Sequence, residues 1–84
     1  MIQLLSVINP GRLNCEFRQI YESSFPEDER RDWVQLLDLL DNKHFKLYEI
    51  YHQARFLGFI TVWDLEEFSF IEHFAIQANE QGKG

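Results

Sequence analysis

The sequence predicts an α+β fold built in the order β-α-α-β-β-β, and three observations predict it. Apolar residues recur at helical spacing from Leu13 to Tyr21 and again from Trp33 to Leu40. From Phe45 to Ile76 the period shortens to two, the alternation of strands. Asn9-Pro10-Gly11 and His52-Gln53-Ala54-Arg55 punctuate these stretches as turns. The 84 residues have room for one domain, 1–84, with no internal repeat, linker or second boundary.

Taken in order, Met1 to Ile8 is a first strand, apolar and free of charge. From Arg12 a first amphipathic helix places Leu13, Phe17, Ile20, Tyr21 and Ser24 on one face, and Cys15 is expected inside it as a core residue. Phe25-Pro26 ends this helix, because the residue before a proline is pushed out of the helical region. Pro26 then opens a second helix, with Glu27, Asp28 and Glu29 complementing its dipole and Trp33, Leu36, Leu37 and Leu40 forming its buried stripe. That helix ends near Asp41-Asn42. A second strand from Phe45 and a third from Phe56 to Asp64 make a hairpin, in which Gly58 marks a bulge or a close backbone approach.

Composition narrows the function classes. Hydrophobic residues make up 45% of the chain and aromatics 15%, with eight Phe, which excludes a disordered or low-complexity segment. A chain this short buries only about 60–65% of its unfolded surface, so ring area must supply part of the missing core. A net charge of −6 argues against nucleic acid and anionic membranes as partners, since no basic surface exists to displace counterions. One cysteine excludes an internal disulfide, and no apolar run spans a bilayer, so a cytoplasmic protein is expected.

The most chemically informative stretch is the last. In Phe68 to Ile76, a two-residue period puts Phe68, Phe70, Glu72, Phe74 and Ile76 on one face and Ser69, Ile71, His73 and Ala75 on the other. Both faces are largely apolar, which predicts an interior strand covered on both sides. Glu72 is then a carboxylate among phenylalanines, a setting that raises a pKa toward neutrality and suits a general base. The pattern alone leaves open that Glu72 lies at a sheet edge or pairs with an Arg or Lys. Glu72 and His73, adjacent on a strand, are expected on opposite faces, and His44, His52 and His73 have no ligand spacing, so no metal is expected. Gln81-Gly82-Lys83-Gly84 gives backbone N–H groups freedom to face an anion such as a pyrophosphate. It fits neither the Walker loop nor the dinucleotide fingerprint.

Together, Phe70-Ile71-Glu72-His73-Phe74-Ala75-Ile76 and the following Gln81-Gly82-Lys83-Gly84 resemble the fourth strand and the opening of the acyl-CoA-binding motif of GNAT-superfamily N-acetyltransferases. That motif reads Arg or Gln, any, any, Gly, any, Gly or Ala. Residues 81–84 match its first four positions, and the sequence stops before the other two. Gly58-Phe59 also resembles a glycine and aromatic common in the family. The resemblance covers the whole chain and implies the N-terminal half of that fold, a mostly antiparallel sheet with two helices.

By the resemblance, the activity is transfer of an acetyl group from acetyl-CoA to a primary amine by direct attack. Glu72 would take the amine's proton, and backbone groups of Phe74, Ala75 and Ile76 would pair with the pantetheine. Gln81, Gly82, Lys83 and Gly84 would hold the pyrophosphate, with the Lys83 side chain adding charge. Phe25 to Arg31, which joins the helices, would wall the acceptor site. The family's general acid and its splayed fifth strand belong to the half that this sequence lacks. The alternative reading is a non-catalytic fragment whose uncovered strands pair with a second copy or another protein, as a homodimer or larger self-association.

Overall fold

The computed structural model of the chain describes residues 2–77. Its elements are β1 (Ile2–Ser6), a single 3-10 turn (Pro10–Arg12), α1 (Phe17–Ser24), α2 (Trp33–Leu39), β2 (Phe45–His52), β3 (Arg55–Asp64) and β4 (Ser69–Ile76). The strands form one antiparallel sheet in the order β1-β2-β3-β4. This is the predicted α+β order.

α1 buries Phe17, Ile20 and Tyr21, the i, i+3, i+4 stripe read from the sequence. It starts at Phe17 rather than Arg12, because local polar contacts hold the preceding residues outside the helix. Asn9 Oδ1 accepts from the Gly11 N–H at 2.9 Å, and Asn14 Oδ1 from the Glu16 N–H at 2.8 Å. The Asn14 N–H donates at 2.7 Å to Glu49 Oε2 on β2. Cys15 is consequently exposed and outside the helix, not a core helix residue.

α2 starts at Trp33, not at Pro26, and is capped by Asp32, whose Oδ2 accepts from the Val34 N–H at 3.2 Å. After Pro26 there is only a turn, closed by Glu29 N–H to Pro26 O at 2.9 Å. Tertiary bonds hold this loop in place of helical ones. The buried Tyr21 hydroxyl accepts from the Arg31 N–H at 2.6 Å and donates to Arg31 O at 3.1 Å. Arg30 Nη1 donates to Phe25 O at 2.9 Å.

Both helices pack on one face of the sheet. The Phe17 ring centroid lies 4.5 Å from that of Phe59, and Tyr21, Leu36, Leu40, Phe45, Leu47 and Phe56 complete the core. Trp33 and Trp63 pack against it half-buried. The hairpin turns at Gln53 (φ 51°) and Ala54 (φ 69°), with both central residues left-handed as a two-residue hairpin loop of matching twist requires. Beyond it, Tyr51 pairs with Phe56 but Ile50 with Gly58, so Leu57 is an extra residue. Gly58 serves both a bulge and a close approach: a Cβ there would collide with the Ala75 carbonyl oxygen and lie 2.9 Å from Ile76 Cα.

β4 departs from the interior strand expected. Among the described residues it is an edge of the sheet, paired only with β3. On the sheet face away from the helices, Leu4, Ile71 and Phe74 are exposed beside half-buried Tyr48, Ile60 and Val62. β1, the opposite edge, ends at Ser6 rather than Ile8 and is exposed throughout.

Candidate active site on strand β4

The site is built by an irregularity in β4. Thr61 pairs with His73 and Val62 with Ile71, which leaves Glu72 without an opposite residue. Two successive side chains at such a bulge turn to the same side of the sheet. Glu72 and His73 therefore share the helix-covered face, correcting the alternation that set them on opposite faces and grouped Glu72 with Phe74. Thr61 Oγ1 repairs the interrupted ladder, accepting from the His73 N–H at 3.0 Å and reaching His73 O at 3.5 Å.

Glu72 is not isolated among apolar groups. Arg31, from the loop before α2, binds it in a fork: Nε donates to Oε2 at 2.9 Å and Nη2 to Oε1 at 2.6 Å. Trp63 Nε1, on β3, donates to Oε1 at 3.0 Å. The Arg31 guanidinium carbon also lies 5.9 Å from the Trp63 ring centroid. Burial pushes the Glu72 carboxyl up, but the hydrogen bonds from Arg31 and Trp63 and the Arg31 charge outweigh it and hold the group below its ordinary value. The shift toward neutrality expected from the sequence is thus reversed. The reason is a cation ten residues beyond Tyr21 that no strand pattern reveals.

His73 is buried against Phe25 and Tyr21, with ring centroids 4.6 and 5.6 Å away. Its Nε2 lies 3.1 Å from Glu29 O. A carbonyl only accepts, so Nε2 carries the hydrogen. In the neutral ring Nδ1 is then bare. It sits 3.3 Å from Glu72 Oε2 without the alignment of a hydrogen bond. Tyr21, which clamps the Arg31 backbone, has its phenol pushed up chiefly by burial. Among the described residues no group of three His, Cys, Asp or Glu is gathered as a metal would need.

The other predicted residues lie further along β4. Strand backbone groups alternate in direction, and the Gln77 N–H is spent on Leu57 O of β3 at 2.7 Å. Ala75 therefore also faces β3, while the N–H and C=O groups of Phe74 point away from it. Beyond Ile76, an open groove of about 420 Å³ runs between α1 and the strand end, lined by Glu16, Gln19, Ile20, Ser23, Ile76 and Gln77. Gln81, Gly82, Lys83 and Gly84 lie outside the described residues.

Sequence reasoning missed Trp63 and Glu49; it placed Arg31 in the Phe25 to Arg31 wall and left open an Arg partner for Glu72, without joining the two. Glu49 is fully buried, accepting from the Asn14 N–H and, at 2.8 Å, from the Tyr51 hydroxyl. A signal existed for it, since the period of two that buries Phe45 and Leu47 places Glu49 on the same face.

Four antiparallel strands with two helices on one face, in this order, make a partial GNAT fold. The structure matches a solved candidate acetyltransferase of the GNAT family from Bacteroides thetaiotaomicron with a TM-score of 0.87 and 26% identity. The match covers 98% of this chain and 48% of that one, so this chain spans about half the length of its neighbour. No family model matches the sequence, and no curated protein does. Among the described residues no helix is long and apolar enough to cross a membrane.

Proposed function

We propose that this chain forms the N-terminal half of a cytoplasmic acetyltransferase domain that moves an acetyl group from acetyl-CoA to a primary amine. The observation that carries the reading is a carboxylate, Glu72, turned out of register beside the open edge of β4 in a partial GNAT fold. The amine nitrogen attacks the thioester carbonyl directly. The new C–N bond replaces the C–S bond, the amine's proton passes to Glu72, and the sulfur leaves as the CoA thiolate. The Phe74 backbone groups, which point away from β3, pair with the pantetheine as an added strand, and Ile76 follows it along the same strand. Ala75, turned to β3, contributes its small side chain and not its backbone. The N–H groups of Gln81 to Gly84 hold the pyrophosphate, with the Lys83 ammonium beside it. Phe25 to Arg31 walls the acceptor side, and the chain's net charge of −6 is compatible with a cationic substrate. Calorimetry with acetyl-CoA on the full-length protein containing this chain should show saturable binding. No binding at millimolar ligand would remove the reading.

The exposed apolar face favours a second property, self-association of the 84-residue chain. Leu4, Ile71 and Phe74 are 60, 59 and 55% exposed on that face, and β4 is the last strand of the sheet among the described residues. Sedimentation velocity across a concentration series should show species larger than the monomer. A monodisperse monomer at every concentration would rule this out.

A further inference from the structure

We propose that the Arg31 guanidinium is a tethered occupant of the acceptor's ammonium site, seated on Glu72 and Trp63 and displaced when an amine binds. This rests on the acetyltransferase reading for the identity of the acceptor, but its geometry stands apart from that reading. Both Glu72 oxygens accept from Arg31, and the Trp63 ring lies beneath the same cation. A carboxylate beside an indole is a receptor for any N–H-bearing cation, and here the chain fills it with its own.

The loop is built so that the side chain can leave while the backbone stays. Tyr21 takes both the N–H and the carbonyl of Arg31, and His73 Nε2 holds Glu29 O two residues earlier. The Arg31 side chain keeps 36% of its surface exposed, whereas Glu72 beneath it keeps 18%. Arg31 therefore covers the carboxylate from the solvent side. When it swings out, Glu72 retains the Trp63 hydrogen bond and meets an incoming ammonium with an oxygen already oriented. The groups facing Glu72 are then His73 from its own strand, Trp63 from β3 and the Tyr21 phenol from α1.

The consequence is competition. If Arg31 is seated about nine-tenths of the time, the apparent affinity for an amine falls about tenfold, because only the open fraction binds. The full-length protein containing this chain, ¹⁵N-labelled and titrated with propylammonium, reports this through the indole N–H of Trp63. Arg31→Ala is expected to respond at about tenfold lower amine concentration than the wild type. Arg31→Lys should fall between the two, since a tethered ammonium still covers Glu72 but cannot make the two-point fork. Adding Glu72→Gln to Arg31→Ala should abolish the response.

Equal responses of Arg31→Ala and wild type would overturn the proposal, as would Arg31→Lys binding as tightly as Arg31→Ala. If Arg31→Ala loses its amide dispersion, Arg31→Met, which keeps the aliphatic stem, carries the same comparison. The two readings fail separately. Tighter amine binding without acetyl transfer keeps the Arg31 proposal and removes the acetyltransferase, while acetyl transfer without tighter binding does the reverse.

Discussion

On the proposed acetyltransferase reading, Glu72→Gln is expected to slow turnover about 10²- to 10⁴-fold, the usual contribution of a positioned general base. The amide keeps the shape of the carboxylate but neither accepts the amine's proton nor carries the charge that seats an ammonium, so the loss should fall on kcat and on the amine KM, with acetyl-CoA affinity little changed. The acid limb of the kcat/KM profile should vanish as well. In the wild type that limb should lie below an ordinary carboxylate value while Arg31 is seated, because the Arg31 and Trp63 hydrogen bonds outweigh the effect of burial on Glu72. Stability should follow the same group. A carboxyl whose folded pKa is lowered contributes fully above its unfolded pKa, and the contribution is lost as pH falls through the folded value. Glu72→Gln should therefore flatten the decline in stability on the acid side, seen by urea unfolding at several pH values. An unchanged rate and pH profile would leave Glu72 as Arg31's structural partner and nothing more.

The parts of the fold that were legible in the sequence are those fixed by local pattern. The β2–β3 hairpin and its turn at residues 52–55, the Phe17, Ile20 and Tyr21 stripe, and the special role of Gly58 all follow from period and residue type. What was not legible depends on partners distant in sequence. The β4 bulge is a matter of register against β3, and no glycine or proline marks it. Pro26 with Glu27, Asp28 and Glu29 satisfies every local requirement for a helix start. The competing bonds from Tyr21 to Arg31 and from His73 to Glu29 come from another helix and another strand. The charge on Arg31 that reverses the expected behaviour of Glu72 arrives across 41 residues of sequence. Alternation could place Glu72 on β4 but could not say what stood above it.

Gly58→Ala is expected to remove a large share of the domain's stability. The glycine's φ is not in the left-handed region, so the requirement is one of space and not of backbone freedom. An added methyl would meet the Ala75 carbonyl oxygen and Ile76 Cα, which belong to the paired backbone of β4 and cannot rotate aside as a side chain end can. Inserting a methyl into a packed site costs typically 1–3 kcal/mol, and a backbone collision places this case at about 3 kcal/mol. Small domains have only about 5 kcal/mol or somewhat more in total. At about 4 °C or more per kcal/mol for a domain of this size, Tm should fall by about 12 °C or more. The strand that must yield is the one carrying Glu72 and Phe74, so on the proposed reading acetyl-CoA affinity should fall with stability. Gly11→Ala is the control: its Cβ would sit 3.4 Å from Asn9 Oδ1, an ordinary contact, and a change within about 0.5 kcal/mol is expected. Thermal unfolding followed by circular dichroism compares the two. A Gly58→Ala protein melting with the Gly11→Ala control would show that β4 can move away from β3 at little cost, and the close approach would then have no role in holding the site.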